Sequence, residues 1–193
     1  MSKRAKSEVK PDIRTPAERH EIVSACADTS SLVLVIREFI ATQKWDERPS
    51  LIVTKELVQA SLAVPCSNDV AWMHVHGWRD INELQIAIHL PINCDQAYKS
   101  ELAILINGLH NEHIAGRFQY LPDHLDNAIC WVFRIGLDGL QISGKLVSDV
   151  ATAGWMICDH YFDALESTAT LGTSSEIALV SASYLSDQSF GKH

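Results

Sequence analysis

The segment Ser100–Leu121, SELAILINGLHNEHIAGRFQYL, joins a helical pattern to a strand pattern, and it decides the fold. Four apolar residues recur at helical spacing: Leu102, Leu105, Ile106 and Leu109. Gly116 stands where a left-handed residue would end a helix, and Phe118 then begins an alternation of apolar and polar residues. We predict a core helix over Cys94–Ala115 that runs directly into a strand over Arg117–Leu121.

The same two periodicities organise the rest of the chain. Alternation predicts further strands at Leu57–Val64, Val70–Trp78, Leu84–Leu90 and Asn127–Leu137, and apolar stripes predict helices at Asp28–Lys44 and Gly144–Leu165. A helix-start signature at Thr15–Glu18 adds a short first helix up to Cys26. Strands joined by short turns pair antiparallel. We therefore predict an α+β fold in the order α-β-β-β-α-β-β-α, with about five antiparallel strands and helices packed on one face of the sheet.

Length and composition predict one domain. The chain has 193 residues, which suffices for a single core, and we place that domain at residues 28–166. Residues 1–27 are predicted to be a flexible basic segment, and residues 167–193 a small, polar tail. No apolar run approaches the roughly 18 residues that span a bilayer, and MSKRAKSEVK precedes no apolar signal region. Five cysteines without a C-x-x-C pair predict reduced thiols, so we expect a cytoplasmic protein without a membrane partner.

The charge distribution disfavours nucleic acid as a partner. The net charge is −8, but residues 1–19 carry six basic and three acidic side chains, which leaves −11 for the rest. An acidic body repels phosphate backbones. A weaker hypothesis is a regulator associated with nucleic acid that docks through this basic N-terminal segment alone.

Histidine spacing raises a metal hypothesis. His74 and His76 lie two apart on a predicted strand, and His110 and His113 lie three apart on a predicted helix, so each pair points one way. Together they could supply four nitrogen ligands. The spacing is unspecific, because no H-E-x-x-H and no paired cysteine accompanies it. A metal-binding enzyme or sensor is therefore the alternative, and no metal or other cofactor is predicted.

No catalytic motif is present. The sequence lacks a G-x-S-x-G elbow, and Ser143-Gly144-Lys145 lacks the upstream glycine of a P-loop. Cys158, Asp159 and His160 are consecutive, but neighbours on a helix point in different directions and form no triad. We expect Cys158 in the core and His160 at the surface, and we predict no catalytic residue and no enzyme.

Three residues of the quoted segment are predicted to be structural: Asn107, Gly116 and Phe118. Asn107 interrupts an apolar helix, so it either faces solvent or makes a buried hydrogen bond that sets the helix register, and we favour the structural role. The five tryptophans belong either to the core or to a binding surface. The long strand also carries a second apolar face, Ala128, Cys130 and Val132, which a one-sided sheet would expose to a partner or to a second copy of the chain.

This arrangement resembles the YbjN family, described as putative bacterial sensory transduction regulators. The resemblance rests on Asn107 in its apolar helix, the run Gly116-Arg117-Phe118, the pair Phe133-Arg134, the pair Tyr161-Phe162 and the order of elements over residues 30–166. It implies a fold like that of type III secretion chaperones, protein binding that often involves dimers, and neither enzymatic activity nor a cofactor. We therefore expect a non-catalytic protein-interaction module, chaperone-like or regulatory, in a bacterial cytosol.

Overall fold

The computed structural model describes residues 31–42, 49–67, 69–110, 115–122 and 129–190, with side chains up to Ser183. Its helices are α1 (Ser31–Thr42), α2 (Lys99–His110), α3 (Gly144–Leu171) and α4 (Ser175–Phe190), with a 3-10 turn at Gln96–Tyr98. Its strands are β1 (Ser50–Val53), β2 (Leu57–Cys66), β3 (Asp69–Trp78), β4 (Glu83–Leu90), β5 (Arg117–Tyr120) and β6 (Ile129–Gly136). The short helix predicted at residues 15–26 lies outside these residues.

All six strands form one antiparallel sheet in the order β1-β2-β3-β4-β6-β5. This confirms the predicted α+β class and the antiparallel sheet. The strand missing from the prediction is β1, which pairs with β2 at the edge of the sheet. Its four residues are too few for an alternation to be recognised, although Leu51 and Val53 pack against the main core.

The helices cover one face of the sheet, as predicted. Every second residue of β2, β3, β4 and β6 points into the main core, where α1, α2 and α3 supply the opposing side chains. Helices α1 and α3 meet closely at Gly144, whose backbone N–H donates to Glu38 Oε2 at 2.7 Å. A side chain at Gly144 would collide with the α1 backbone at Phe39. The glycine therefore permits this helix crossing.

Trp131 on β6 is the largest fully buried side chain among the described residues. Its ring lies against Gly154 of α3 on one side and against Gly116 on the other, and a Cβ added at either glycine would overlap the indole. The indole Nε1 donates a hydrogen bond to the carbonyl of Ala115 at 3.0 Å. Gly116 has a φ of +79°, the left-handed conformation expected from its position.

The core helix predicted over Cys94–Ala115 corresponds to α2, which begins later than predicted. It begins at Lys99 rather than Cys94, after a 3-10 turn that is capped by Asp95, whose side chain accepts the Ala97 N–H at 2.9 Å. Ile92 still lies in the core beside the end of β4, so the helical turns begin only after it. Helix α2 ends at His110, and residues 111–114 lie outside the described chain.

The predicted polar tail after residue 166 is helical where the structure describes it. Helix α3 continues to Leu171 and ends at Gly172, whose φ of +69° and N–H bond to the Ser167 carbonyl close its last turn. Helix α4 then packs on α2 and α3, and it buries Ala178 and Ala182 in the main core. A hydrogen bond connects the start of α4 to α2, because the Ser175 N–H donates to Glu101 Oε1 at 2.6 Å.

Replacing Gly154 with Ala tests the packing of Trp131. The added methyl group overlaps an indole that has no room to move, so we expect a loss of about 1–3 kcal/mol in the free energy of unfolding despite the better helix propensity of alanine. Gly136→Ala is the matched control, because nothing lies within 4 Å of its added Cβ. Urea denaturation of both variants measures their free energies of unfolding. If Gly154→Ala were as stable as Gly136→Ala, α3 would not pack on Trp131 as described.

Candidate functional site: the open face of the sheet

The second face of the sheet is not covered by the described helices. Because side chains alternate along a strand, the register places one set of residues on it. We call this surface the open face, and it comprises Gln59, Ser61 and Ala63 of β2, Trp72, His74, His76 and Trp78 of β3, Gln85, Ala87 and His89 of β4, Cys130, Val132 and Arg134 of β6, and Arg117 and Gln119 of β5. Ile52, Val70 and Glu83 lie at its margins.

An aromatic stripe runs along β3 through the middle of the open face. It consists of Trp72, His74, His76 and Trp78, which occupy alternate positions of the strand. The ring centroids of His74 and His76 are 5.8 Å apart, and those of His76 and Trp78 are 5.9 Å apart. Trp72 is 45% exposed, which is unusual for so large an apolar side chain. The stripe therefore presents aromatic surface to solvent.

Neighbouring strands hold the histidines in place. His74 Nδ1 lies 2.8 Å from the Ser61 hydroxyl, which also accepts a hydrogen bond from the Gln59 amide at 2.9 Å. The ring of His89 on β4 meets that of His74 edge-on, with centroids 5.3 Å apart. His76 differs, because its Nδ1 is buried and has no hydrogen-bond partner among the described residues. The histidine cluster, which consists of His74, His76 and His89, thus contains a buried polar atom without a hydrogen bond to a described residue.

Burial and the neighbouring imidazoles keep His74 and His76 uncharged. Burial lowers the pKa of His74 below its usual value of 6.5, and the neighbouring His76 lowers it further. The pKa of His76 is lowered first by burial and then by His89. Both rings are therefore neutral near pH 7, and protonating either one costs free energy in the folded chain.

The four-histidine metal site of the alternative hypothesis is not assembled. His74 and His76 are on the open face, whereas His110 ends α2 in the helical layer, with its Nε2 3.0 Å from the Phe118 carbonyl. His113 lies outside the described residues. Within the part of the chain that the structure describes, no group of three or more His, Cys, Asp or Glu side chains is placed to hold a metal ion.

The predicted exposure of the apolar patch on β6 is wrong for two of its residues, and the third, Ala128, lies outside the described chain. Cys130 is 1% and Val132 5% exposed, and with Ala87 they form a small second cluster against Leu121. Their cross-strand partners on the same face include the larger His89, Arg117 and Gln119, so these short side chains lie below their neighbours. The exposed apolar side chains here are instead Trp72, Val70 and Ile52.

The residues that were predicted to be structural fall into two groups. Phe118 is buried in the main core and Gly116 contacts Trp131, so both take part in packing. Asn107 is exposed, which excludes a buried hydrogen bond that sets the helix register. Ile104, one turn earlier on α2, is also exposed. The apolar stripe of α2 is therefore narrower than the sequence pattern indicated.

The consecutive Cys158, Asp159 and His160 do not form a reactive group. Cys158 is buried, and burial raises the pKa of its thiol well above the usual value. Asp159 accepts the Ser67 N–H at 2.8 Å, and His160 packs edge-on against Tyr161. A cavity of about 100 Å³ between α3, β4 and β6 is lined only by apolar residues: Leu84, Ile86, Phe133, Ile135, Ile142, Leu146, Val147 and Val150. Its lining offers no group for acid–base or nucleophilic chemistry.

Comparison with known proteins adds one structural likeness. No family model matches the chain, and no curated protein matches it. A chain in the crystal structure of the ExsC–ExsE complex matches 70% of this chain and 92% of its own length, with 13% identity and a TM-score of 0.45. The resemblance to the YbjN family therefore stays a prediction.

Part of this site could be found from the sequence. The alternation along Val70–Trp78 already put His74 and His76 on one face, and the same alternation includes Trp72 and Trp78. His89 and Ser61 were missed as their neighbours. Only the register of β2, β3 and β4 brings these two residues beside His74, and two-residue periodicity does not determine register.

Acidification should destabilise the free protein through His74 and His76. Their folded-state pKa values are lowered, so the unfolded chain binds more protons and the unfolding free energy falls as the pH drops from above 6.5 through the folded-state values. The loss is complete below those values. Urea denaturation between pH 7.5 and pH 5 measures this slope, and His74→Gln/His76→Gln should flatten it. An unchanged slope in that variant would contradict the assignment.

Proposed function

We propose that this protein is a non-catalytic protein-binding module, chaperone-like or regulatory, and that it binds its partner through the open face. The observation that carries the proposal is Trp72. This side chain is half exposed within β3, on a sheet face that no described helix covers. Tryptophan contributes strongly to binding where it becomes buried between two proteins, because its ring removes a large area from water.

The surroundings of Trp72 suit such a contact. On the same face its cross-strand neighbours are Ala63 and His89, and the short side chains of Ala87 and Cys130 lie low and buried nearby. The indole of Trp72 therefore projects beyond these short side chains, and a partner side chain can fill the shallow depression beside it. Val70, the next exposed residue on this side of β3, extends the apolar surface. A contact here would bury aromatic and aliphatic groups together and leave the polar Gln59 and Gln85 at its rim.

The finer parts of the proposal rest on the sequence resemblance. The YbjN-like pattern supports a bacterial regulator or a relative of type III secretion chaperones, and it supports a cytosolic location and dimerisation as further proposals. None of the described helices is long and apolar enough to cross a membrane. Among the described residues no cluster is placed to hold a metal ion, which favours this proposal over the metal-dependent alternative.

Replacing Trp72 with Ser should weaken partner binding without unfolding the chain. Removing the exposed indole should weaken the complex by about 2 kcal/mol or more, which is roughly a 30-fold rise in Kd. Affinity purification of the tagged protein from its source cells, followed by mass spectrometry and titration of the recovered protein, makes the comparison.

Ile177→Ser is the matched control. Ile177 is also a large exposed apolar residue, but it lies on α4 in the helical layer. The control should recover the same protein as the unaltered chain, with the same affinity. The proposed function would be overturned if Trp72→Ser bound as tightly as the control, or if Ile177→Ser alone lost the partner.

A further inference from the structure

The apolar cavity on the helical side of the sheet has no part in the contact proposed for the open face. Its volume is about 100 Å³, and all eight residues that line it are apolar. Its floor consists of two cross-strand pairs between β4 and β6, Leu84 with Ile135 and Ile86 with Phe133. The opposite wall is formed by the first two turns of α3 and by Ile142, which precedes the helix. The cavity therefore lies between a helix and the sheet.

Contacts outside the cavity hold its walls apart. Glu38 on α1 accepts the Gly144 N–H at 2.7 Å, and Gly144 lies directly against the α1 backbone, so the start of α3 is fixed on α1. Ser143 caps this turn by accepting the Leu146 N–H at 3.2 Å. The antiparallel pairing of β4 with β6 fixes the floor. A cavity keeps its volume where its surroundings cannot collapse into it, and closing this one would break these contacts.

The cavity reaches the surface of the protein. Leu146 lines it and is 45% exposed. Four other lining residues are only partly buried: Phe133, Ile135, Ile142 and Val150. The remaining three are buried. A small molecule can therefore enter from solvent beside Leu146 and reach the buried part of the lining.

The lining favours a ligand group without polar atoms. A water molecule inside a protein needs about two to four hydrogen-bonding partners, and the side chains that line this cavity offer none. An apolar group that fills the cavity gains dispersion contacts with its walls and loses no hydrogen bond. An apolar cavity of roughly 150 Å³ with a similar lining holds benzene, so this smaller cavity has room for about four to six carbon atoms.

We infer that this cavity binds a small molecule through a compact hydrocarbon group of about four to six carbon atoms. Polar parts of the same molecule remain in solvent beside Leu146, where the lining is exposed. The inference goes beyond the proposed function, because the cavity and the open face lie on opposite sides of the sheet.

A small molecule fits this cavity better than a side chain of a partner protein does. The exposed ion pair between Lys145 Nζ and Asp149 Oδ2, at 2.7 Å, stands beside Leu146 on α3. A protein surface laid over the entrance would have to cover these charges, and removing an ion pair from water costs free energy. A small molecule enters without covering them.

Benzene and pyridine test the inference on the full chain, because the two rings have the same shape and differ by one nitrogen. NMR spectra of protein with ¹³C-labelled methyl groups are recorded at pH 7.5 with increasing amounts of each. Benzene should shift the methyl signals of Leu84, Ile135 and Val150 in a saturable way, with a Kd of about 1 mM. Pyridine should bind about tenfold more weakly, because its nitrogen loses a hydrogen bond to water in the cavity.

Variants assign the binding to the cavity. Val150→Phe fills part of its volume and should raise the Kd for benzene about tenfold. Val180→Phe is the matched control, because it makes the same change at an exposed residue of α4 and should leave the Kd unaltered. The comparison of benzene with pyridine uses the unaltered protein and does not depend on whether a variant folds.

Three outcomes would overturn the inference. They are the lack of a saturable shift at the lining methyl groups up to the solubility limit of benzene, equal affinities for benzene and pyridine, and equal affinities of Val150→Phe and Val180→Phe for benzene.

The complex with the partner recovered by affinity purification distinguishes a small molecule from a protein side chain. Benzene should bind to this complex as it binds to the free chain. If the complex excluded benzene, a side chain of the partner would occupy the cavity and the assignment to a small molecule would be wrong. Trp72→Ser should leave benzene binding unaltered, so failure of the proposed function at the open face is measured separately from failure of this inference.

Discussion

The buried indole of Trp131 is the constraint on which the rest of the structure depends. It fills the space between β6, α3 and the turn before β5, and it fits because Gly154 and Gly116 present no side chain to its two sides. Its hydrogen bond to the Ala115 carbonyl ties the turn to the ring. A single aromatic ring therefore contacts the sheet, helix α3 and the turn before β5. Because these contacts lie on one side of the sheet, the helices pack on that face.

The face on which the helices pack determines which residues form the open face. With Trp131 and Phe133 turned toward the helices, alternation turns Cys130, Val132 and Arg134 the other way, and the register carries the same division across β4 and β3. β3 contributes large aromatic residues to the open face, whereas β6 contributes short ones that are covered by their neighbours. The exposed surface is consequently concentrated along the stripe of Trp72, His74, His76 and Trp78. Protein binding at this stripe is the function that we propose from it.

The sequence predicted the secondary structure correctly in segments where one periodicity dominated. The alternation of Leu84–Leu90 and the helical stripe of Gly144–Leu165 predicted β4 and most of α3, and hence the antiparallel α+β architecture. The short β1 was missed because four residues show too little alternation. Helix α4 lies in the segment predicted to be a small, polar tail. It was not predicted because its apolar residues lie on several sides, and it packs on α2 and α3 instead of on the sheet.

Side-chain exposure was harder to predict than secondary structure. Cys130 and Val132 are on the predicted face but lie below their cross-strand neighbours, and the burial of a strand residue depends on register as well as alternation. The histidine cluster shows the same limit. His74 and His76 share a strand and could be paired from the sequence, while His89 joins them only through the pairing of β3 with β4. His110 was wrongly grouped with them because spacing on a helix does not show which layer the helix occupies.

Hydroxyl-radical footprinting of the purified complex tests the central claim most directly, since it reports solvent access at individual side chains on both sides of the sheet. Trp72 on the open face and Met156 on the helical side are both strongly exposed in the free chain, and both residue types react readily. The account predicts that partner binding protects Trp72 and leaves the oxidation of Met156 unchanged. Protection of Met156 with full reactivity at Trp72 would place the partner on the helices and contradict the account.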